Sequence, residues 1–473
     1  MQTQSEPRPP GPAPGAAGRR QVVVTGAGVV SPLGDSPAAL HRALAAGASA
    51  RKPIELFETS GIGCHEAGEI RPFDPQGYVG ERNLRPLDRT SRLLVVAAQL
   101  ALADSGWAPA GRPRPAGTPP GAAGPPGETS ALPAMQAMPA LPAILANGAR
   151  PSAAAAEVGL VVGTTFCSVR TIAEFDRRAL RLGPTHASPL DFANSVINAA
   201  AGQAAIWHGL RGVNSTLAGG EASGLQAIAQ ATELVRSGRA DAVLAGGAEE
   251  LCFESFFGYY RAGRLCGTLD RGAAERPVPF DARRNGFSLS EGAALLMLEE
   301  ASAAAARGAA VRAEVLGWGA AFAAASGEAG MADAVARSVR LALADAGATP
   351  AEIGCLSASA SGSVIVDRAE ARGVAAALGE RAADLPVAAI KAMLGEGLGV
   401  SAAWQAVDLV ETIGDGVLPG IAGLEQLEPG LALPLPETVP ASTRRLQPAA
   451  RQRVLITAVG ADGHCAALVL GAP

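Results

Sequence analysis

Val22 to Gly34 reads V-V-V-T-G-A-G-V-V-S-P-L-G, and the fold turns on how this run is taken. Val22–Thr25 is a short β-branched run, the mark of a buried strand. The glycines and Pro32 then read as a turn, and a helix is predicted from Ser36 to Ala46. The run also comes one residue short of a dinucleotide fingerprint, with Ser31 where the third glycine belongs. Pro32 follows at once and does not suit the long helix whose N-terminus would hold a pyrophosphate. No strand ending in Asp or Glu follows about 20 residues later, as that fingerprint requires. A nicotinamide site is therefore set aside, and the chain holds neither a Walker A run nor H-E-x-x-H.

The same strand-then-helix rhythm continues along the chain. Strands are predicted at Gly159–Gly163, Ala242–Ala245 and Leu295–Leu298. Helices are predicted at Arg92–Ser105, Ser168–Leu182 and Ala222–Arg236, the last with Leu225, Ile228, Thr232 and Val235 as its inward stripe. The second half repeats the pattern. Strands fall at Ala313–Leu316, Cys355–Ser359, Val387–Ile390, Val454–Val459 and Ala466–Leu470, and helices at Met331–Ala346, Val366–Leu378 and Leu398–Ile413. This alternation argues for an α/β fold of layered sheets with mostly parallel strands.

Composition bounds the function. The chain has 473 residues, 48% of them apolar and only 18% charged, enough for a large core and too apolar for a disordered chain. Aromatics make up 4%, so alanine, valine and leucine must pack around the 58 glycines. A net charge of −5 argues against non-specific nucleic-acid binding. No apolar run nears the ~18 residues of a transmembrane helix. The cysteines Cys64, Cys167, Cys252, Cys266, Cys355 and Cys465 form no C-x-x-C pair or metal-ligand spacing, and the five histidines are scattered. No metal or cofactor is expected, and a reduced, cytoplasmic setting fits this cysteine usage.

Two stretches break the rhythm. Residues 1–20 are rich in Pro, Gly and Ala, lack the apolar segment of a signal peptide, and read as a disordered tail. Residues 109–151 carry 11 of the 35 prolines and read as a low-complexity insertion. Within it, Leu132, Met135, Met138, Leu141, Ile144 and Leu145 have roughly helical spacing.

Several runs, in order, resemble the β-ketoacyl-acyl carrier protein synthases, condensing enzymes of the thiolase superfamily. Val22–Gly34 is similar to the opening of that family. Phe192–Gly209 with Arg211–Leu217 resembles its dimer-interface and pre-nucleophile region, and Ala245–Glu250 (A-G-G-A-E-E) the strand end after the nucleophile helix. Pro279–Glu299, P-F-D-A-R-R-N-G-F-S-L-S-E-G-A-A-L-L-M-L-E, is the most specific match. The resemblance implies a thiolase-like fold of two similar halves, residues 21–270 and 271–473, in a five-layered αβαβα arrangement.

The family's chemistry uses a cysteine nucleophile and two histidines, and this sequence departs at all three positions. The nucleophile turn is Gly219-Gly220-Glu221-Ala222-Ser223-Gly224, with Glu221 in the cysteine position. A helix N-terminus would stabilise either a thiolate or a carboxylate there, but a carboxylate is a poor nucleophile toward thioesters. Ser359 stands for the first histidine, in a segment that keeps Asp367 and Glu370. Glu396 stands for the second, in K-A-M-L-G-E-G-L-G, which keeps Lys391, Met393 and the flanking glycines. Neither replacement supplies an imidazole, and an ionised Glu396 would repel a developing oxyanion. Lys391 is expected to sit between Glu221 and Glu396 and to offset their charge. In the C-terminal loop Ala461 replaces an aromatic gate, and His464 and Cys465 are adjacent, a conceivable relocated nucleophile pair.

The resemblance then implies a non-catalytic, chain length factor-like subunit. It would pair as a heterodimer with an active ketosynthase in type II polyketide, aryl-polyene or fatty-acid-like elongation, meet acyl carrier protein, and shape the tunnel for the growing acyl or polyketide chain. Two other readings remain open: an acyltransferase or condensing enzyme with unorthodox residues, and a homodimeric acyl-binding scaffold.

Overall fold

The computed structural model describes residues 19–80, 83–107, 157–268, 274–324, 327–431, 433 and 443–473. The insertion at 109–151, with its helical spacing, and all but the last two residues of the tail lie outside them. Those two, Arg19 and Arg20, are ion-paired to Asp345 at 2.7 Å and to Asp241 at 2.6 Å.

Among the described residues ten strands build the core: β1 (Val22–Val30), β2 (Gly159–Gly163), β3 (Asn214–Leu217), β4 (Ala242–Glu249), β5 (Gly292–Glu300), β6 (Ala313–Phe322), β7 (Cys355–Ser357), β8 (Val387–Ala388), β9 (Arg453–Val459) and β10 (His464–Gly471). Their spatial order is β8-β7-β9-β10-β6-β1-β5-β4-β2-β3. Each half contributes five strands, and numbering the strands of a half one to five gives the order 3-2-4-5-1 in both. Among the described residues the halves pair edge to edge at Val23–Glu314 and Val24–Ala313. The arrangement is thus two similar five-stranded sheets.

Helices separate and cover them. The main ones are α1 (Arg89–Asp104), α2 (Ser223–Arg236), α3 (Phe253–Arg261), α4 (Glu328–Asp345), α5 (Val364–Leu378) and α6 (Ser401–Asp415). α1 covers the outer face of the first sheet, α4 covers that of the second, and α5 packs on α4. α2 and α6 lie between the sheets and touch strands of both. The layers are therefore αβαβα. α6 has buried residues on every side, as a helix between two sheets must.

Two expectations change. Gly26 and Gly28 form no turn, because β1 continues through Val30, and the expected turn comes later, at Pro32–Leu33 between Ser31 and Gly34. The two strand glycines admit α1 instead: a Cβ on Gly28 would lie 2.1 Å from the Ala97 carbonyl oxygen. The strands are also not mostly parallel. Among the described residues the main sheet has five antiparallel pairings and four parallel ones. β9 and β10 are joined by only Gly460–Gly463, a link too short for anything but an antiparallel return. A buried apolar run looks the same in either direction.

Candidate active site

β3 ends in the Gly219–Ala222 elbow, from which α2 runs back between the sheets. Gly220 has φ +61°, and a Cβ there would lie 2.1 Å from Asp462 Oδ2. The positive φ favours glycine there, while the Asp462 carboxylate, at the end of an exposed side chain, could move aside. It presents Glu221, which is buried. The Tyr259 hydroxyl on α3 donates to Glu221 Oε1 at 3.2 Å, and Arg264 Nη1 lies 3.6 Å from the same oxygen. Burial raises the Glu221 pKa, with the charges of Glu396 and Asp462 adding to it and Arg264 opposing.

Ser359 and Glu396 flank the buried ammonium of Lys391. Lys391 Nζ donates to Glu396 Oε2 at 2.7 Å and to Ser359 Oγ at 3.2 Å. The Val459 N–H also donates to Ser359 Oγ, at 3.0 Å. Glu396 Oε1 accepts from the Leu398 N–H at 2.9 Å and from Ser401 Oγ at 2.6 Å. The expected arrangement is thus corrected in one respect. Lys391 bonds Glu396 and Ser359, while Glu221 takes Tyr259 and Arg264 as its partners.

The residues behind this centre hold its loops. Glu370 Oε1 accepts the Ser359 N–H at 2.7 Å, and burial lifts the Glu370 pKa to about 7. Asp367 accepts the Ser361 N–H at 3.0 Å and faces Arg284 Nε at 3.2 Å, yet burial still raises its pKa to about 6. Glu249, at the end of β4, accepts the N–H groups of Thr165, Phe166, Cys167 and Gly399 at 2.6 to 3.3 Å. It ties the loop after β2 to the turn after Glu396. Burial lifts its pKa to about 7.

The adjacent His464 and Cys465 do not form a reactive pair. Cys465 is wholly buried on β10, and burial pushes its thiol up to about 12. His464 points to the opposite face, half-exposed, with Nδ1 3.2 Å from Asp462 and its ring edge-on to Phe322. Among the described residues, no group of three His, Cys, Asp or Glu is placed to hold a metal ion. No described helix is long and apolar enough to cross a membrane.

Sequence reasoning missed Tyr259, Arg264 and Asp462. The F-F-G-Y-Y run was a signal, since it carries two of only three tyrosines in an aromatic-poor chain.

Two duplicated α/β halves in five layers, with a glycine elbow leading into a helix between the sheets, define a thiolase-type protein. Comparison with known proteins narrows that class. The β-ketoacyl synthase N-terminal domain model matches residues 19–165 and 134–304, and the C-terminal domain model matches residues 312–425. The chain belongs to the β-ketoacyl synthase family. It is 29% identical over 434 residues to 3-oxoacyl-[acyl-carrier-protein] synthase 2 of Vibrio cholerae, covering 91% of this chain and 94% of that one. It is 31% identical over 455 residues to the tetracenomycin polyketide synthase ketoacyl synthase beta subunit of Streptomyces glaucescens, covering 95% and 98%. Among solved structures it resembles the ishigamide ketosynthase/chain length factor, with TM-score 0.79, 28% identity, and coverage of 96% of this chain and all of that one.

Proposed function

We propose that this chain is a non-catalytic, chain length factor-type subunit that pairs with an active ketosynthase and shapes the acyl tunnel. One observation carries the reading. At the three positions where the family pattern has cysteine and two histidines, the side chains are Glu221, Ser359 and Glu396, each buried and held by hydrogen bonds. None of the three is a thiolate, and none is an imidazole that could stabilise an oxyanion. The similarity to a polyketide synthase beta subunit and to a ketosynthase/chain length factor supports the same reading.

The surface supports pairing. Leu190, Phe192, Val196, Ile197 and Ile206 are all exposed, on the segment that leads into β3, which is the last strand of the first sheet among the described residues. Exposed apolar side chains on the segment leading to an edge strand suit a protein partner. The partner on this reading is a ketosynthase with an intact Cys-His-His set, and the pair would receive its chain from acyl carrier protein. Co-expression with that ketosynthase tests the pairing. A one-to-one complex is expected in native mass spectrometry, whereas a stable homodimer that ignores the ketosynthase would favour the scaffold reading.

A further inference from the structure

We propose that Tyr259, pinned between Glu221 and two phenylalanines, closes this chain's own acyl chamber, so that no acyl group enters at the family nucleophile position. The proposal rests on the reading that Glu221 occupies that position, and it identifies what shuts the site beyond the loss of the thiol.

The space around the Glu221 carboxylate is taken on both sides. On the Oε1 side stand the Tyr259 hydroxyl at 3.2 Å and the Arg264 guanidinium at 3.6 Å. On the Oε2 side runs the backbone at Gly460, where an added Cβ would sit 3.0 Å from that oxygen. The attack of any nucleophile here needs open space in front of the elbow, and Tyr259 stands in it.

The ring is held independently of its hydroxyl. It meets Phe166 edge-on, with centroids 6.0 Å apart and planes at 70°, and Phe287 at 5.4 Å and 71°. Both are favoured aromatic geometries. Tyr259 is only 9% exposed, while Phe166 is 37% exposed. The aromatic column therefore runs from the elbow outward to the surface, along ground that an acyl chain would need. Arg264 approaches from a fixed stem: its N–H donates to the Tyr259 carbonyl, and its carbonyl accepts from the Phe287 N–H, both at 3.1 Å. Eight of the chain's few aromatics, Phe57, Phe166, Phe253, Phe256, Phe257, Tyr259, Tyr260 and Phe287, are linked by ring contacts or packing around this point.

Thiol labelling of the full chain tests the closure. Glu221→Cys, Glu221→Cys/Tyr259→Ala and Glu221→Cys/Tyr259→Phe are treated with N-methylmaleimide and with N-dodecylmaleimide, which share one reactive group, and peptide mass spectrometry follows the introduced thiol. The six native thiols, all buried, provide the background. In Glu221→Cys, and equally in the Phe double variant, the long reagent should lag well behind the short one. Removing the ring should raise the long-to-short rate ratio by roughly tenfold or more, because the packed column no longer has to open first. An unchanged ratio in the Ala variant would overturn the proposal. If that variant fails to fold, Glu221→Cys alone decides: equally fast modification by both reagents overturns closure. Neither result depends on whether the chain condenses acyl groups, so closure can fail while the silent-subunit reading stands.

Discussion

Lys391→Met should destabilise the protein by about 3–5 kcal/mol, the range for removing one partner of a buried ion pair. Lys391 and Glu396 are each 3% exposed, with Nζ and Oε2 2.7 Å apart. At an effective dielectric near 20, two unit charges at that separation attract by about 6 kcal/mol. The substitution strips Oε2 of its ammonium and Ser359 Oγ of one donor, while Oε1 keeps the Leu398 N–H and Ser401. Those two bonds hold the net loss below the full attraction. Lys391→Met/Glu396→Gln removes both charges at nearly constant volume, so it should cost less than the single variant, by about 2 kcal/mol or more. Urea unfolding by circular dichroism at fixed protein concentration measures both, because any self-association makes stability depend on concentration. The reasoning is wrong if Lys391→Met lies within about 1 kcal/mol of wild type, below any buried-pair value. It is equally wrong if the double variant is the less stable of the two.

Three further outcomes follow from the same structure. The folded Glu221 pKa lies above its unfolded value, so its contribution is fully present below ~4.3 and is lost as pH rises through the folded value. Glu221→Gln cannot titrate and should gain on wild type as pH rises from 4 to 8; a constant or shrinking gap in urea midpoints would contradict this. His41 is buried on Asp408, with Nδ1 to Oδ1 at 2.7 Å, and also faces Asp415 and Glu411. Burial alone would lower its pKa, but the Asp408 hydrogen bond and these charges raise it. Its contribution is then present below ~6.5 and lost as pH rises through the folded value. The stability gap between wild type and His41→Gln should narrow from pH 6 upward, and a gap that widens would refute the assignment. Finally, the Cys465 thiol should resist iodoacetamide at pH 8 in the folded chain and react only after unfolding, because it is buried with a pKa near 12. Fast alkylation of the native protein would reopen it as a nucleophile.

Much of this architecture was legible as pattern. Gly159–Gly163 reads as a strand from its apolar run alone, and the structure gives the same bounds. Ser223–Arg236 shows its inward stripe because helical periodicity records which face is buried. What pattern does not record is direction and distance. The antiparallel centre of the sheet was hidden because an apolar run has no direction. Gly26 and Gly28 read as part of a turn because what they answer to is α1, about 70 residues away in sequence. Glu221 could be placed from its flanking residues, but its partners could not. Tyr259 and Arg264 come from α3 and the segment after it, and only packing brings them to the elbow. Lys391 was expected to serve two carboxylates, because the resemblance implied that all three meet at one centre. Geometry instead gives the lysine to Glu396 and Ser359.

The central claim is that this chain lacks condensing chemistry of its own and works through a partner's cysteine. The most direct measurement is product formation from acyl- and malonyl-carrier protein by the chain alone, by the pair with an active ketosynthase, and by the pair after the ketosynthase's cysteine has been blocked. Glu221, Ser359 and Glu396 offer no thiolate and no imidazole, so product should form only in the unblocked pair. Product from the chain alone, or from the pair with the partner's cysteine blocked, would contradict the account.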